Sequence, residues 1–317
     1  MPNYSGVWTL SQQFQAVGQG NWPSPPIFRA VFAGGITNFN VIDYVDITTT
    51  GNAIDFGDMS VASSYNGAVG STTRGVMSTG GFGNILNTLE FVTFATTGNA
   101  ADFGDMTSAL VGVSGCGSST RGLFGMGSPS GSYGAEVNTI QYITIASTGN
   151  AIAFGELTIR RYFGSAMSSP TRAVWAGGNG STSGAASRID YVTIASTGNA
   201  TTFGTLVQPG DGMSGCGSST RGIIAGCNNQ NNVIQYITIA STGNSLDFGD
   251  LMENLSQGFG VMSVSSEIRA VFGGGTGVNV ISYVAIATTG NAVFFGDLTV
   301  ARRFGAGCSN CAGGVQP

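Results

Sequence analysis

Arginine is the sole basic residue of this 317-residue chain: there are eleven arginines, and no lysine or histidine. Six of them, Arg29, Arg74, Arg121, Arg172, Arg221 and Arg269, open similar segments. A ring of guanidinium groups is chemistry for holding anions. A strict place in a repeat favours the other use of a guanidinium, which is to satisfy carbonyls of a neighbouring turn or unit. Carboxylates recur as well. Asp55, Asp102 and Asp247, with Asp58, Asp105, Glu156, Asp250 and Asp297, surround Phe-Gly dipeptides and could ligate calcium. The third, fourth and sixth units lack the first acid and the fourth lacks both, so turn capping is expected and no metal site. Cys308 and Cys311 form C-x-x-C, but no second pair and no histidine complete a zinc site. Free thiols, suited to a reducing compartment, are expected for all five cysteines. Without histidine or lysine, the commonest general base, metal ligand and Schiff-base amine are missing. No catalytic residue and no cofactor are therefore expected.

Charged residues make up 9% of the chain, against roughly 25% in soluble domains. The net charge of −5 weighs against tracking nucleic-acid phosphates. The opening "MPNYSGVWTLSQQFQAV" lacks a basic region and an unbroken apolar run, so no secretory signal is read there. No segment approaches the ~18 apolar residues of a membrane span, and a soluble protein assembled in a cytoplasm is expected.

The elements that hold these residues repeat. The pentapeptide Ser147–Ala151 ("STGNA") returns at 196–200, and close variants place its glycine at Gly51, Gly98, Gly149, Gly198, Gly243 and Gly290. Those glycines are 47, 51, 49, 45 and 47 residues apart, so six units tile the chain. Each unit runs from Arg through an apolar stretch towards Gly-Gly, then an aromatic strand such as "IDYVTIAS", then T-G-N. A short strand closing in Phe-Gly follows, and a Gly/Ser-rich strand leads to the next Arg. Four short strands per unit read as a small antiparallel sheet. T-G-N reads as its hairpin turn, since Gly and Asn tolerate the positive φ of tight loops. "YVTIAS" is apolar on both faces, so identical sheets must cover one another. Six sheets closed around an axis make an all-β, six-bladed β-propeller.

The ends of the chain predict how it closes. "VARRFGAGCSN" writes the first strand of a further unit, and the first unit lacks that strand. Residues near Ala301–Ser309 should therefore pair beside Ala30–Gly34 and complete the first blade. Residues 27–317 form the propeller on this reading. Residues 1–26 form an arm whose Leu10, Phe14 and Val17 share a helical face, with Gly18 as C-cap, fit to plug the ring or, the favoured role, attach it to a partner.

In such a blade the "SSTR" and T-G-N loops share one face. The loops after Gly-Gly and after "GDL" share the other. The aromatic lies seven residues before the T-G-N glycine in every unit, whereas the Arg-to-aromatic spacing is 15, 17, 21, 19, 15 and 14. Divergence therefore gathers on the face opposite T-G-N, where "MENLSQ" also carries an insertion. Asn38, Phe39, Asn40, Tyr133, Asn228, Asn229, Gln230, Asn231 and Asn232 are the candidate binding residues there. Amides beside aromatics suit a sugar or another neutral surface.

An apolar strand ending in Gly-Gly, an aromatic strand, an aromatic before Gly, and "LTVARR" before the next unit resemble the kelch repeat over residues 27–317. Phe stands where kelch has its outer-strand Trp. The repeated "TGNAxxFGDL", with "GVWTL" at the front, is similar to kelch-like propellers in structural proteins of marine tailed bacteriophages. The resemblance implies a non-enzymatic virion component, a tail fibre or receptor-binding adhesin present in multiple copies. Its partners would be other tail or capsid proteins, reached through residues 1–26, and a host-surface glycan or envelope protein; neither nucleic acid nor membrane insertion is implied. The alternative is a purely structural decoration or bracing protein. A propeller glycosidase of the sialidase kind would need S-x-D-x-G-x-x-W boxes, which the sequence lacks.

Overall fold

A computed structural model of the protein describes residues 9–11, 13, 15, 28–36, 39–228, 231–252 and 260–315, with Asn231 described by its backbone alone. Twenty-four strands form six four-stranded antiparallel sheets. Blade 3 is typical: from the axis outward its strands are Ser114–Gly117, Arg121–Gly125, Thr139–Thr144 and Ile152–Glu156. The inner strands of successive blades neighbour one another in a closed circle. The chain is a six-bladed β-propeller.

Closure follows the expected route. The last strand, Ala306–Ser309, pairs antiparallel with Arg29–Ala33, setting Ala30 opposite Ser309 and Ala33 opposite Ala306. Blade 1 therefore takes its inner strand from the C-terminal end of the chain and its other three from the N-terminal part. Of the arm, Gln13 N–H donates to the Thr9 carbonyl in one helical turn. Phe14, Val17 and Gly18 lie outside the described residues, as does most of "MENLSQ".

The second and third strands of each blade alternate poorly because both their faces are buried. The core divides into six apolar clusters, each shared by two adjacent blades. Between blades 1 and 2, for example, Val31, Ile42 and Phe56 pack on Met77, Val92 and Phe94. Neither blade could cover that surface alone, so burial of this kind, about 25 cal/mol per Å2, is available only to neighbours in the ring. All five cysteines are buried and none forms a disulfide. Burial pushes the thiols of Cys116, Cys216, Cys308 and Cys311 up to about 12, which leaves them neutral and poorly nucleophilic.

Removing residues 306–317 should expose the edge of Arg29–Ala33 and the facing apolar clusters of blades 1, 2 and 6. The expected outcome is loss of the soluble monomer in size-exclusion chromatography. A truncated chain that melts cooperatively near the full-length temperature would contradict closure by this strand.

Candidate functional site

On one face of the ring, the repeated residues are committed to joining blades. Each blade arginine lies over the ring of its own blade's aromatic, as with Arg121 at 4.5 Å from the Tyr142 centroid and Arg172 at 4.8 Å from Tyr191. That aromatic meets the Phe of Phe-Gly edge-on, at 5.9 Å for Tyr142 and Phe154. The same guanidinium donates to carbonyls of the next blade. Arg29 bonds Phe94, Arg74 bonds Ala146, Arg121 bonds Ile194, Arg172 bonds Ala240, Arg221 bonds Ile286, and Arg269 returns to Thr48. Six guanidinium groups thus form a circle of links around the ring rather than a site for anions.

T-G-N needs a correction. The hairpin turn is made just before it, where Ser147 N–H donates to Thr144 O and Ser196 N–H to Thr193 O. None of the T-G-N asparagines has a positive φ. Gly and Asn instead reach back to the preceding blade. The Asn side-chain oxygens of Asn52, Asn99, Asn150, Asn199, Asn244 and Asn291 accept the backbone N–H of Asp297, Asp58, Asp105, Glu156, Thr205 and Asp250, at 3.0–3.1 Å. A Cβ on Gly57 would come within 2.5 Å of the Gly98 backbone, which explains why Phe is followed by Gly. Of the acids weighed as calcium ligands, Asp55 accepts the Gly57 N–H at 3.2 Å. Among the described residues no three His, Cys, Asp or Glu side chains gather.

The axis is closed at both ends. Towards the arginine face, Gly313 N–H donates to the Gly217 carbonyl and Val315 is buried, so the segment after the last strand fills the channel mouth. At the opposite end six residues with positive φ form a circle: Phe304, Tyr65, Gly112, Phe163, Gly212 and Gly260, with φ between 57° and 75°. Each donates its N–H to the carbonyl of the one before it, and Phe304 closes the circle on Gly260. Aromatic residues rarely adopt this backbone. Here the strain of three of them is offset by stacking: Tyr65 lies 4.7 Å from Phe163 and 4.4 Å from Phe304, centroid to centroid. The axial spaces of about 90 and 60 Å3 fall well below the roughly 300 Å3 at which ligand clefts begin.

A larger opening lies on the variable face. A groove of about 340 Å3 runs across the loops of blades 3, 4 and 5, lined by Tyr133, Asn179, Ser181, Thr182, Asp211 and Asn228, among others. That volume is within the range of ligand clefts. Tyr133 is 68% exposed on the blade 3 loop. The buried Glu136 beside it accepts the Gly134 N–H at 2.7 Å and both the N–H and the hydroxyl of Ser181. Burial pushes the Glu136 carboxyl up, but the bonds from Ser181 and Gly134 outweigh it and hold the group below its usual range. The blade 3 and blade 4 loops are thereby clamped together. Asn179 is fixed by a two-way backbone pair with Tyr162, and its side chain lies beside Asp211. Asp211 is 8% exposed, and burial raises its carboxyl above the usual range despite the opposing pull of Asn179.

Of the residues singled out in the sequence, Tyr133 and Asn228 meet at this groove. Phe39 is half-buried on the blade 1 loop. Asn40 and Asn232 turn their amides inward, donating to Met59 O and Leu251 O at 3.4 Å. Asn231 lies in the strand Asn231–Thr238. Asn38, Asn229 and Gln230 fall outside the described residues. Asp211 escaped the sequence reading because it occurs once, and a repeat directs attention to what recurs; Asn179 and Glu136 stand in the variable-face loops. The available signal was a charge in a crossover slot that holds Val111 and Tyr162 in neighbouring units.

Two buried ion pairs were also missed. Arg161 meets Asp190 at 3.0 Å and Arg302 meets Asp43 at 2.9 Å, all four side chains inaccessible. Burial lowers the Arg161 guanidinium to about 10, against the opposing pull of Asp190, so the guanidinium stays charged at neutral pH. The sequence matches no protein-family model and no curated protein.

Two outcomes follow for stability. Asp190→Asn strands a buried guanidinium and should cost about 3–5 kcal/mol in urea unfolding, whereas the pair Arg161→Met with Asp190→Leu should recover most of the loss. The Asp211 proton is held more tightly by the folded chain than by the unfolded one. Its contribution is full below the unfolded carboxylate pKa and is lost as pH rises through the raised folded value. Asp211→Asn should therefore be at least as stable as the parent at pH 7, with the margin shrinking towards pH 3 in thermal melts followed by circular dichroism. A variant markedly less stable at pH 7 would contradict this.

Proposed function

We propose that this protein is a non-enzymatic binding module of a bacteriophage virion, a tail-fibre or adhesin component that recognises a host surface through the variable face of its propeller. The observation carrying this reading is the difference between the two faces. On one, the arginines, the T-G-N segments and the chain end are spent on holding the ring together. On the other, loops of unequal length leave a groove with an exposed aromatic and several amides and hydroxyls. The likeness of the blade grammar to kelch repeats, and of "TGNAxxFGDL" to propellers of marine tailed phages, supports the virion setting. Missing histidine and lysine supports binding without catalysis. A groove of this size gives weak single-site binding, which becomes effective when several copies on one particle engage together. Residues 1–26 would tether the propeller to other virion proteins.

A second reading, in which the propeller braces or decorates the particle, draws support from Ile54, Ile152, Leu246 and Val293. These are 52–59% exposed and head the outer strands of four blades, where they could pack against a partner. Incubating labelled soluble protein with the host bacterium separates the two. A surface-binding module decorates cells and competes with infection, and Tyr133→Ala reduces decoration several-fold. If the protein neither binds cells nor competes, the bracing reading holds instead.

A further inference from the structure

The groove across blades 3 to 5 carries the reading of the variable face one step further, to the chemistry of its ligand; this inference rests on that reading. Asp211 is more than nine-tenths buried yet forms part of the groove wall. The two ion pairs among the described residues lie elsewhere. A carboxylate accepts at roughly four lone-pair sites, and burying it is costly unless those sites are filled. The Asn179 side chain stands beside Asp211. The rest of the lining offers Ser181, Thr182 and Ser183 hydroxyls and the Asn228 amide, all neutral, beside the exposed Tyr133 ring.

We infer that this groove binds a neutral saccharide. Asp211 and Asn179 take adjacent hydroxyls of one sugar ring: the carboxylate accepts from the O–H groups and the amide completes the pattern. Tyr133 covers the apolar C–H face of the same ring. A sugar fits both demands at once, since its edge presents several hydroxyl donors to an acceptor-only group and its face is apolar. Anionic ligands are disfavoured, because Asp211 in the groove wall and Glu136, which clamps two of its loops, have the same sign. Glu136 serves the site by position: its bonds to Gly134 and Ser181 set the Tyr133 loop against the Ser181 loop before any ligand arrives, so little ordering is left to oppose binding.

Saturation-transfer NMR on the full chain tests the inference. The probes are the methyl glycosides of glucose, galactose, mannose, fucose and N-acetylglucosamine, with glucosamine and glucuronic acid as charged controls. The expected result is transfer to at least one neutral glycoside, lost in Asp211→Asn and reduced at least fivefold in Tyr133→Ala. Tyr133 is an exposed loop residue, so its variant reports on the site even if the Asp211 variant misfolds. Transfer to none of the neutral probes, binding confined to glucosamine, or neutral binding unchanged in both variants would each overturn the assignment. Cell binding by the parent chain that survives both substitutions would overturn this site while leaving the surface-binding reading intact. Sugar binding without cell binding would do the reverse.

Discussion

A blade of this protein cannot be stable by itself, because both faces of its sheet are apolar and need covering. Every other feature depends on that constraint. The six apolar clusters lie between blades rather than within them, so folding energy is realised only as neighbours dock. Polar groups then fix how they dock. At the arginine face each guanidinium covers its own aromatic and bonds the next blade, a stacked and charge-assisted contact worth roughly 2 kcal/mol. Asn of T-G-N secures the opposite direction, back to the preceding blade. At the other face Asp43, Glu90, Gln141, Asp190 and Gln235 occupy equivalent places and hold the crossover from the blade before, as Gln141 does with Thr107 N–H at 2.7 Å.

The contacts that join blades also decide where the chain is free to vary. A loop that carries an interblade bond cannot change length without moving its partner, so the T-G-N and "SSTR" loops keep their spacing. Loops after the second strand carry few such bonds and differ in length from unit to unit. The groove forms where three of these loops lie side by side, and Glu136 and Asn179 give it a defined shape. Burial raises its Asp211 carboxyl above the usual range, whereas the buried Asp190 is paired with Arg161.

The axial lid shows how local and global preferences can conflict. Three of its six left-handed positions are glycine, as the backbone prefers, and three are Tyr65, Phe163 and Phe304. The aromatic choice is locally strained, and it is tolerated because the rings stack across the axis and the backbone circle of hydrogen bonds holds each in place. Nothing in "RRYFG" or "ARRFG" taken alone indicates this. The rings lie over Gly112 and Gly260, which belong to other blades.

What the amino-acid sequence determined by itself was the count of six blades, the four strands in each, the closing role of Ala306–Ser309 and the face on which variation collects. These are properties of local periodicity and spacing, and a repeat displays them six times. Tertiary structure alone decided that T-G-N joins blades instead of turning a hairpin, that Asp43 is paired with Arg302, and that Tyr133, Asn179, Asp211 and Asn228 share one groove. The physical reason is separation along the chain. Asp43 accepts from Thr299 across 256 residues, and such partners are brought together only by the closure of the ring.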